Sequence, residues 1–260
     1  MNKQIIPIQE TNLSIGWARA FLALMERGVN DISPLIVTLD LDDTEKVPET
    51  KLIHEVLDAE LRANDEFQIE TVAGTIFPHS LWNRGARKEQ LFETYLSILP
   101  KIRKYQQNRR GTYFQRLIAF ENEDQPVNQL KHIIDAWNSG LRRHSALQAS
   151  IFDPSRDHVR SKMLGFPCLH QVALTPIGTD GTGGLAISGF YATQHVFEKA
   201  YGNYLGLCRL GQFLAHEMNL HLVRMTCIAA KGVLGDYPKS SLSKLHSQLQ
   251  QILSSYENTR

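Results

Sequence analysis

Two strand-like runs, CLHQVALTPI and LAISGFYATQ, are separated only by the glycine-rich link GTDGTGG at residues 178 to 184. So short a link cannot carry a crossover, so the two runs pair as an antiparallel hairpin. The link has neither the GxxxxGK[ST] order nor a following helix, so it is not a phosphate cradle. From about Val196 to His221 the apolar pattern reads as one long helix with an irregular start at Tyr201 to Asn203, and MTCIAAKGVLG supplies a last strand.

Upstream, LSIGWARAFLALMERG repeats apolar residues at helical spacing and stops at Gly28, whereas PLIVTLDLD reads as a strand closed by DDTEK and Pro48. ETKLIHEVLDAELRA returns to helical period. FQIETVAGTIF reads as a strand or irregular segment limited by Pro78. KEQLFETYLSILPKIRKYQQ is an amphipathic helix bent at Pro100, and PVNQLKHIIDAWNSG is a helix closed by Gly140. GTYFQRLIAF is a strand or a helix entry. HSALQASIF is a strand and DPSRD a turn, and SSLSKLHSQLQQILSSY is a closing helix with a serine N-cap.

A chain of 260 residues can bury one large α/β core, and a single domain spanning residues 1–260 is the expectation. Lys+Arg number 28 against 27 Asp+Glu, which leaves no footprint for nucleic acid or an anionic membrane. The first residues hold no leader-like apolar run, and no stretch of about 20 apolar residues could span a bilayer. Cys168, Cys208 and Cys227 are too few and too scattered for a disulfide framework, and no His/Cys cluster suggests zinc. A soluble protein of the reducing cytoplasm follows as the expectation, with no metal.

GFPCLHQVAL, the hairpin and then SGFYATQHVFEKAYGNYLGL leading into a long helix resemble the thymidylate synthase and pyrimidine hydroxymethylase superfamily. YFQRLIAF, VNQLKHIIDAW and SIFDPSRD look like that family's tyrosine-bearing strand, its "DQL" helix and its W-x-P-like strand end. The likeness covers about Thr112 to Leu249, and residues 1 to 111 have no alignment to it. It implies a large mixed or antiparallel sheet packed by helices, with two copies meeting through a sheet face as a homodimer. It also makes Cys168 the nucleophile; the other reading of Cys168 is an inert buried thiol on an apolar strand.

Departures from the family pattern narrow the substrate. Ala192 stands where the family has its phosphate-binding arginine, Thr193 where it has serine, and His195 where it has the pterin-binding aspartate. The arginine pair lent to the partner's phosphate falls on Ser145 and Ala146, with Arg142 and Arg143 close enough to substitute after a loop shift. Leu169 replaces a histidine, and the sugar-binding His-x-Tyr falls on Pro238 and Ser240. A phosphate is normally met by charge-assisted arginine contacts, each on the order of 1.5 to 3 kcal/mol, and three lost partners leave it nearly unpaired. An unphosphorylated acceptor is the simplest reading.

By the same resemblance a cysteine thiolate adds to an electron-poor ring carbon, and the neighbouring carbon then takes a one-carbon unit from 5,10-methylenetetrahydrofolate. A thiol is mostly protonated at neutral pH, so Cys168 needs activation. His170, two residues along the strand, and His195, on the neighbouring strand, are the candidate bases. Tyr113 and Glu70 complete the catalytic candidates. Asn203, Thr193, Ala192, Gln171 and Tyr191 are the substrate-binding candidates; Glu198, Trp82 and Tyr201 are those for the folate. The chain ends in ENTR rather than in the apolar tail that the family folds over its cofactor.

Three functions compete: methylation or hydroxymethylation of a ring carbon in an unphosphorylated heteroaromatic or phenolic small molecule in specialised metabolism, hydroxymethylation or methylation of a pyrimidine nucleotide (CMP, dCMP or dUMP), and a binding protein that reuses the fold.

Overall fold

The computed structural model describes residues 7–41, 46–121, 125–140, 143–160, 166–178 and 183–258. Its strands are β1 (Ile8–Glu10), β2 (Asp31–Ile32), β3 (Leu35–Asp40), β4 (Gln148–Ser150), β5 (Leu169–Ile177), β6 (Gly184–His195) and β7 (His221–Val233). Its α-helices are α1 (Leu13–Met25), α2 (Lys51–Ala63), α3 (Ile69–Ile76), α4 (Lys88–Ile102), α5 (Tyr113–Ile118), α6 (Gln129–Asn138), the single turn α7 (Pro154–Asp157), α8 (Tyr201–Glu217) and α9 (Ser243–Asn258). The strands form one mixed sheet in the order β1-β3-β7-β6-β5-β4, with β2 on one end of β7.

β5 and β6 are antiparallel neighbours, as the short link requires; residues 179–182 of that link lie outside the described residues. β6 and β7 are parallel. Parallel neighbours need a long connection, and α8 supplies it, packing back onto both strands. The irregular start of this helix is a π-helical turn at Val196–Ala200, five residues earlier than the sequence pattern places it.

One face of the sheet carries Val37, Leu39, Val172, Leu174, Ile187, Tyr191, Met225, Cys227 and Ala229, all buried. The other face is more open. A row of cross-strand neighbours, Ile36, Ile228, Phe190, Gln171 and Ser150, runs over five strands there, and Phe190 is 41% exposed. A large exposed aromatic in the middle of a sheet is informative, because single sheets bury at least one face and expose aromatics at a cost.

One segment differs from its sequence reading, and a second resolves to one of its two alternatives. IETVAGTI is a helix, α3, although its β-branched residues suit a strand. Ile69, Val72, Ala73 and Ile76 fall at helical spacing and are buried, and α3 lies so close to α8 that a methyl on Gly202 would sit 2.6 Å from Val72 Cβ. TYFQRLI is likewise a helix, capped by Thr112, whose hydroxyl accepts from the Gln115 amide at 3.1 Å. Tyr113 therefore heads a helix rather than lying on a strand. The DPSRD turn is the short α7, capped by Asp153. Among the described residues no helix is long and apolar enough to cross a membrane.

Candidate functional site

Cys168 sits at the entry to β5, half-buried, and its surroundings are fixed from two sides. The Ala192 amide of β6 donates to the Cys168 carbonyl at 3.2 Å, which sets an alanine residue next to this segment. From α5 the Tyr113 phenol oxygen faces the backbone amides of Cys168 and Leu169. One turn along α5, the Arg116 guanidinium covers the Phe166 ring at 4.8 Å, and Tyr113 lies on the same ring with centroids 5.2 Å apart.

Arg116 is itself anchored. Its Nη1 donates to the Ile151 carbonyl at 2.7 Å, and its Nη2 to Asp157 Oδ1 at 2.9 Å. The Asp153 amide completes the Asp157 carboxylate at 2.8 Å. This ion pair and stack were not among the residues selected from the sequence; an arginine set among apolar residues three positions after Tyr113 was the available signal. Burial pushes the Cys168 thiol above its ordinary range, so the resting side chain is a thiol and not a thiolate.

His170 is held elsewhere. Its ring bonds to the Pro167 carbonyl and stacks on Phe152 with centroids 4.7 Å apart. The two-residue alternation that would place it on the Cys168 side is interrupted by a bulge in the β5–β6 pairing between Leu169 and Gln171. Burial lowers its basicity. Gln171 lies on the open face and bonds to Gln148. Leu169 is fully buried.

His195 closes β6 and pairs with Glu198 of the π-helical turn, Nδ1 to Oε2, at 3.0 Å. The other Glu198 oxygen accepts the Asp236 amide at 3.2 Å. The bond to Glu198 raises the His195 pKa, and burial only partly opposes it. Burial works against ionisation of Glu198, yet the bonds to His195 and to the Asp236 amide hold its carboxyl below the ordinary range. Both oxygens of Glu198 are thus engaged.

Tyr201 is buried between Trp17 and His54, and its hydroxyl donates to Glu49 Oε1 at 2.7 Å and meets Ser14 Oγ at 2.8 Å. Trp82 packs edge-on against Phe77, His79, Phe213 and His216, with the Arg84 guanidinium 5.2 Å above its ring. Glu70 is bidentate to Arg209 of α8, at 2.6 and 2.7 Å. Thr193 is half-buried opposite Lys231. Asn203 is buried in the first turn of α8. Ser145 and Arg143 are exposed, and Arg142 lies outside the described residues.

A second polar cluster joins four elements. His54 of α2 has Glu49 Oε1 3.1 Å from Nδ1 and Asp58 Oδ2 3.8 Å from Nε2, and Asp58 also accepts the Ile69 amide that opens α3. The bond to Glu49 raises the His54 pKa, with burial opposing. The i,i+4 spacing of His54 and Asp58 on a helix was the readable signal for it. Among the described residues no group of His, Cys, Asp and Glu could hold a metal ion.

The chain matches no protein-family model and no curated protein. Function therefore rests on the site. What the arrangement offers chemically is a half-buried thiol, a phenol set against its backbone, and an alanine as its cross-strand neighbour.

Proposed function

We propose that this chain is a thymidylate-synthase-like transferase in which Cys168 adds to an electron-poor ring carbon of an unphosphorylated heteroaromatic or phenolic small molecule, readying the neighbouring carbon for a methyl or hydroxymethyl group. The observation that supports the reading is the bond from the Ala192 amide to the Cys168 carbonyl, which sets an alanine beside the thiol-bearing residue, at the position the resemblance assigns to a phosphate-binding arginine. Tyr113 supports it by standing against the same backbone. The resting thiol must lose its proton to solvent as the ring binds, and hydrogen-bond donors that meet the charge developing on the ring lower the barrier to addition.

The resemblance implies 5,10-methylenetetrahydrofolate as one-carbon donor, and the three side chains selected for it do not fit. Glu198 has both oxygens committed, Tyr201 is enclosed between two rings, and Trp82 is packed against four.

Calorimetric titration tests the reading. dUMP, CMP and dCMP should give no binding heat, and a mass increment on Cys168 should appear with unphosphorylated ring acceptors. Tight binding of any of the three nucleotides would overturn it in favour of a nucleotide hydroxymethylase. Full biological activity of Cys168→Ser would favour a binding protein. If folate binds, Glu198→Gln should leave its affinity within about twofold, because a carboxylate engaged on both oxygens gives a ligand little.

The same reading pairs two copies through the open sheet face around Phe190 and Ile228. Sedimentation velocity should find a dimer for the natural chain and a monomer for Phe190→Asp, since an unpaired charge in an apolar contact is costly. A natural chain that sediments as a monomer at tens of micromolar would remove the dimer.

A further inference from the structure

Tyr191 lies fully buried on β6, and its hydroxyl has no hydrogen-bond partner among the described residues. Native interiors hold few such groups, and each calls for a water, a ligand or a stored strain to explain it. Its neighbours are already committed to one another. Tyr204 donates to Gln194 Oε1 at 3.1 Å, Gln194 Nε2 donates to Cys227 Sγ at 3.4 Å, and the Tyr113 phenol oxygen faces the amides of Cys168 and Leu169.

Within electrostatic reach of the Tyr191 hydroxyl are two thiols, Cys227 and Cys168, and two phenols, Tyr113 and Tyr204. Sulfur is a weak acceptor. Burial holds Tyr191 in its protonated form, so it is a donor in want of an oxygen. Leu169 is its cross-strand neighbour on β5, one residue from Cys168, so the two groups belong to adjoining positions of neighbouring strands.

The geometry points to Tyr191 as the donor that holds the substrate's carbonyl oxygen while Cys168 adds to the conjugated ring carbon. The inference rests on the thiol-addition reading above and deepens it. In the step, the thiol proton leaves to solvent and the sulfur electron pair forms the C–S bond. The C=C pair moves through the adjacent carbon onto the carbonyl oxygen, giving an enolate. That oxygen gains charge and takes a stronger hydrogen bond from Tyr191, which is what lowers the barrier. Elimination runs the same movements backward: the enolate pair reforms C=C and the sulfur leaves with its pair. The acceptors that fit are rings bearing an oxygen conjugated to the attacked carbon, and a ring without that oxygen leaves Tyr191 unpaired.

Two probes separate donation from packing. 2-Cyclohexenone reacts with a thiol through an enolate, and iodoacetamide alkylates the same thiol by displacement without one. Rates at Cys168 are followed by intact-protein mass, with Cys168→Ser as the blank; Cys208 and Cys227 are buried. Tyr191→Phe keeps the ring and removes only the hydroxyl. It should slow the enone reaction by about tenfold or more while changing iodoacetamide alkylation by less than about twofold.

An unchanged ratio of the two rates overturns the proposal, whether both rates hold, as for a hydroxyl that meets only a structural water, or both fall together, as for a residue that only shapes the pocket. If Tyr191→Phe does not fold, 3-fluorotyrosine at position 191, a stronger donor, should raise the enone rate relative to alkylation, and an unchanged ratio overturns the proposal equally. A natural chain that shows the expected split yet transfers no one-carbon unit keeps Tyr191 as donor and sinks the transferase reading. One that transfers a one-carbon unit without the split sinks Tyr191 alone.

Discussion

Replacing Arg116 by alanine should cost about 3 to 5 kcal/mol of folding stability, measured by urea unfolding at pH 7, because it leaves the Asp157 carboxylate buried without its counter-charge. The two side chains are only 7% and 5% exposed, so water cannot take over the lost bonds. Three further contacts go with the guanidinium: its bond to the Ile151 carbonyl, the second bond to Asp157, and its cover of the Phe166 ring. Arg116→Lys should recover little, since an ammonium has no planar fork to lie on a ring and grip both carboxylate oxygens. Arg116→Met combined with Asp157→Leu should recover much of the loss, because removing both charges leaves none stranded. A loss under about 1 kcal/mol for Arg116→Ala would contradict this account.

The acid dependence follows from the same pair. Burial opposes ionisation of Asp157, but its bonds to Arg116 and to the Asp153 amide win and hold the folded pKa below the ordinary value. Its stabilising contribution is therefore present above about pH 4, the unfolded range, and is lost as the pH falls through the folded value. The Arg116→Ala protein should lack that part of the acid transition.

The hairpin, the helix after it and the strand β3 were readable because each rests on a local constraint: link length for β5 and β6, helical period for α8, and β-branched composition for β3. α3 was not readable, and α5 only as one of two alternatives, for the same reason in both. Their helical state is decided by partners far away in the chain, Gly202 and Gly206 beneath α3 and the Phe166 segment beneath α5, which outweigh a residue composition that suits strands.

The candidate site divides in the same way. Cys168, Tyr113 and Ala192 are neighbours in the fold, and order along the chain suffices to select them. His170 could not be judged from alternation, because a bulge is invisible in a single sequence. Glu70, Tyr201 and Trp82 looked available because their partners, Arg209, Glu49 with Ser14, and Phe213, come from distant segments. A side chain's chemistry can be read from its type, but whether it is free to act depends on contacts that only the fold creates.

Gly235→Ala should remove roughly 3 kcal/mol or more, through two separate faults at one residue. Gly235 has φ of +129°, a conformation costing an L-residue on the order of 1 to 3 kcal/mol. The added methyl would also lie 2.2 Å from Glu198 Oε1, so the carboxylate must swing away from the Asp236 amide and from His195. Glu198 is nearly buried, and a carboxylate there without its donors adds a desolvation cost to the strain.

His195 reports the second fault independently of the first. Its folded pKa is raised by Glu198, so the stability the pair confers is complete below the unfolded histidine value, about 6.5, and is lost as the pH rises through the folded one. In an NMR titration the His195 ring should titrate lower in Gly235→Ala, and lower again in Glu198→Gln, which removes the charge without straining the loop. Should Glu198→Gln leave the His195 titration where it is, the imidazole would owe its basicity to Asp236 and not to the carboxylate 3.0 Å from Nδ1, and the second fault assigned to Gly235→Ala would disappear with it.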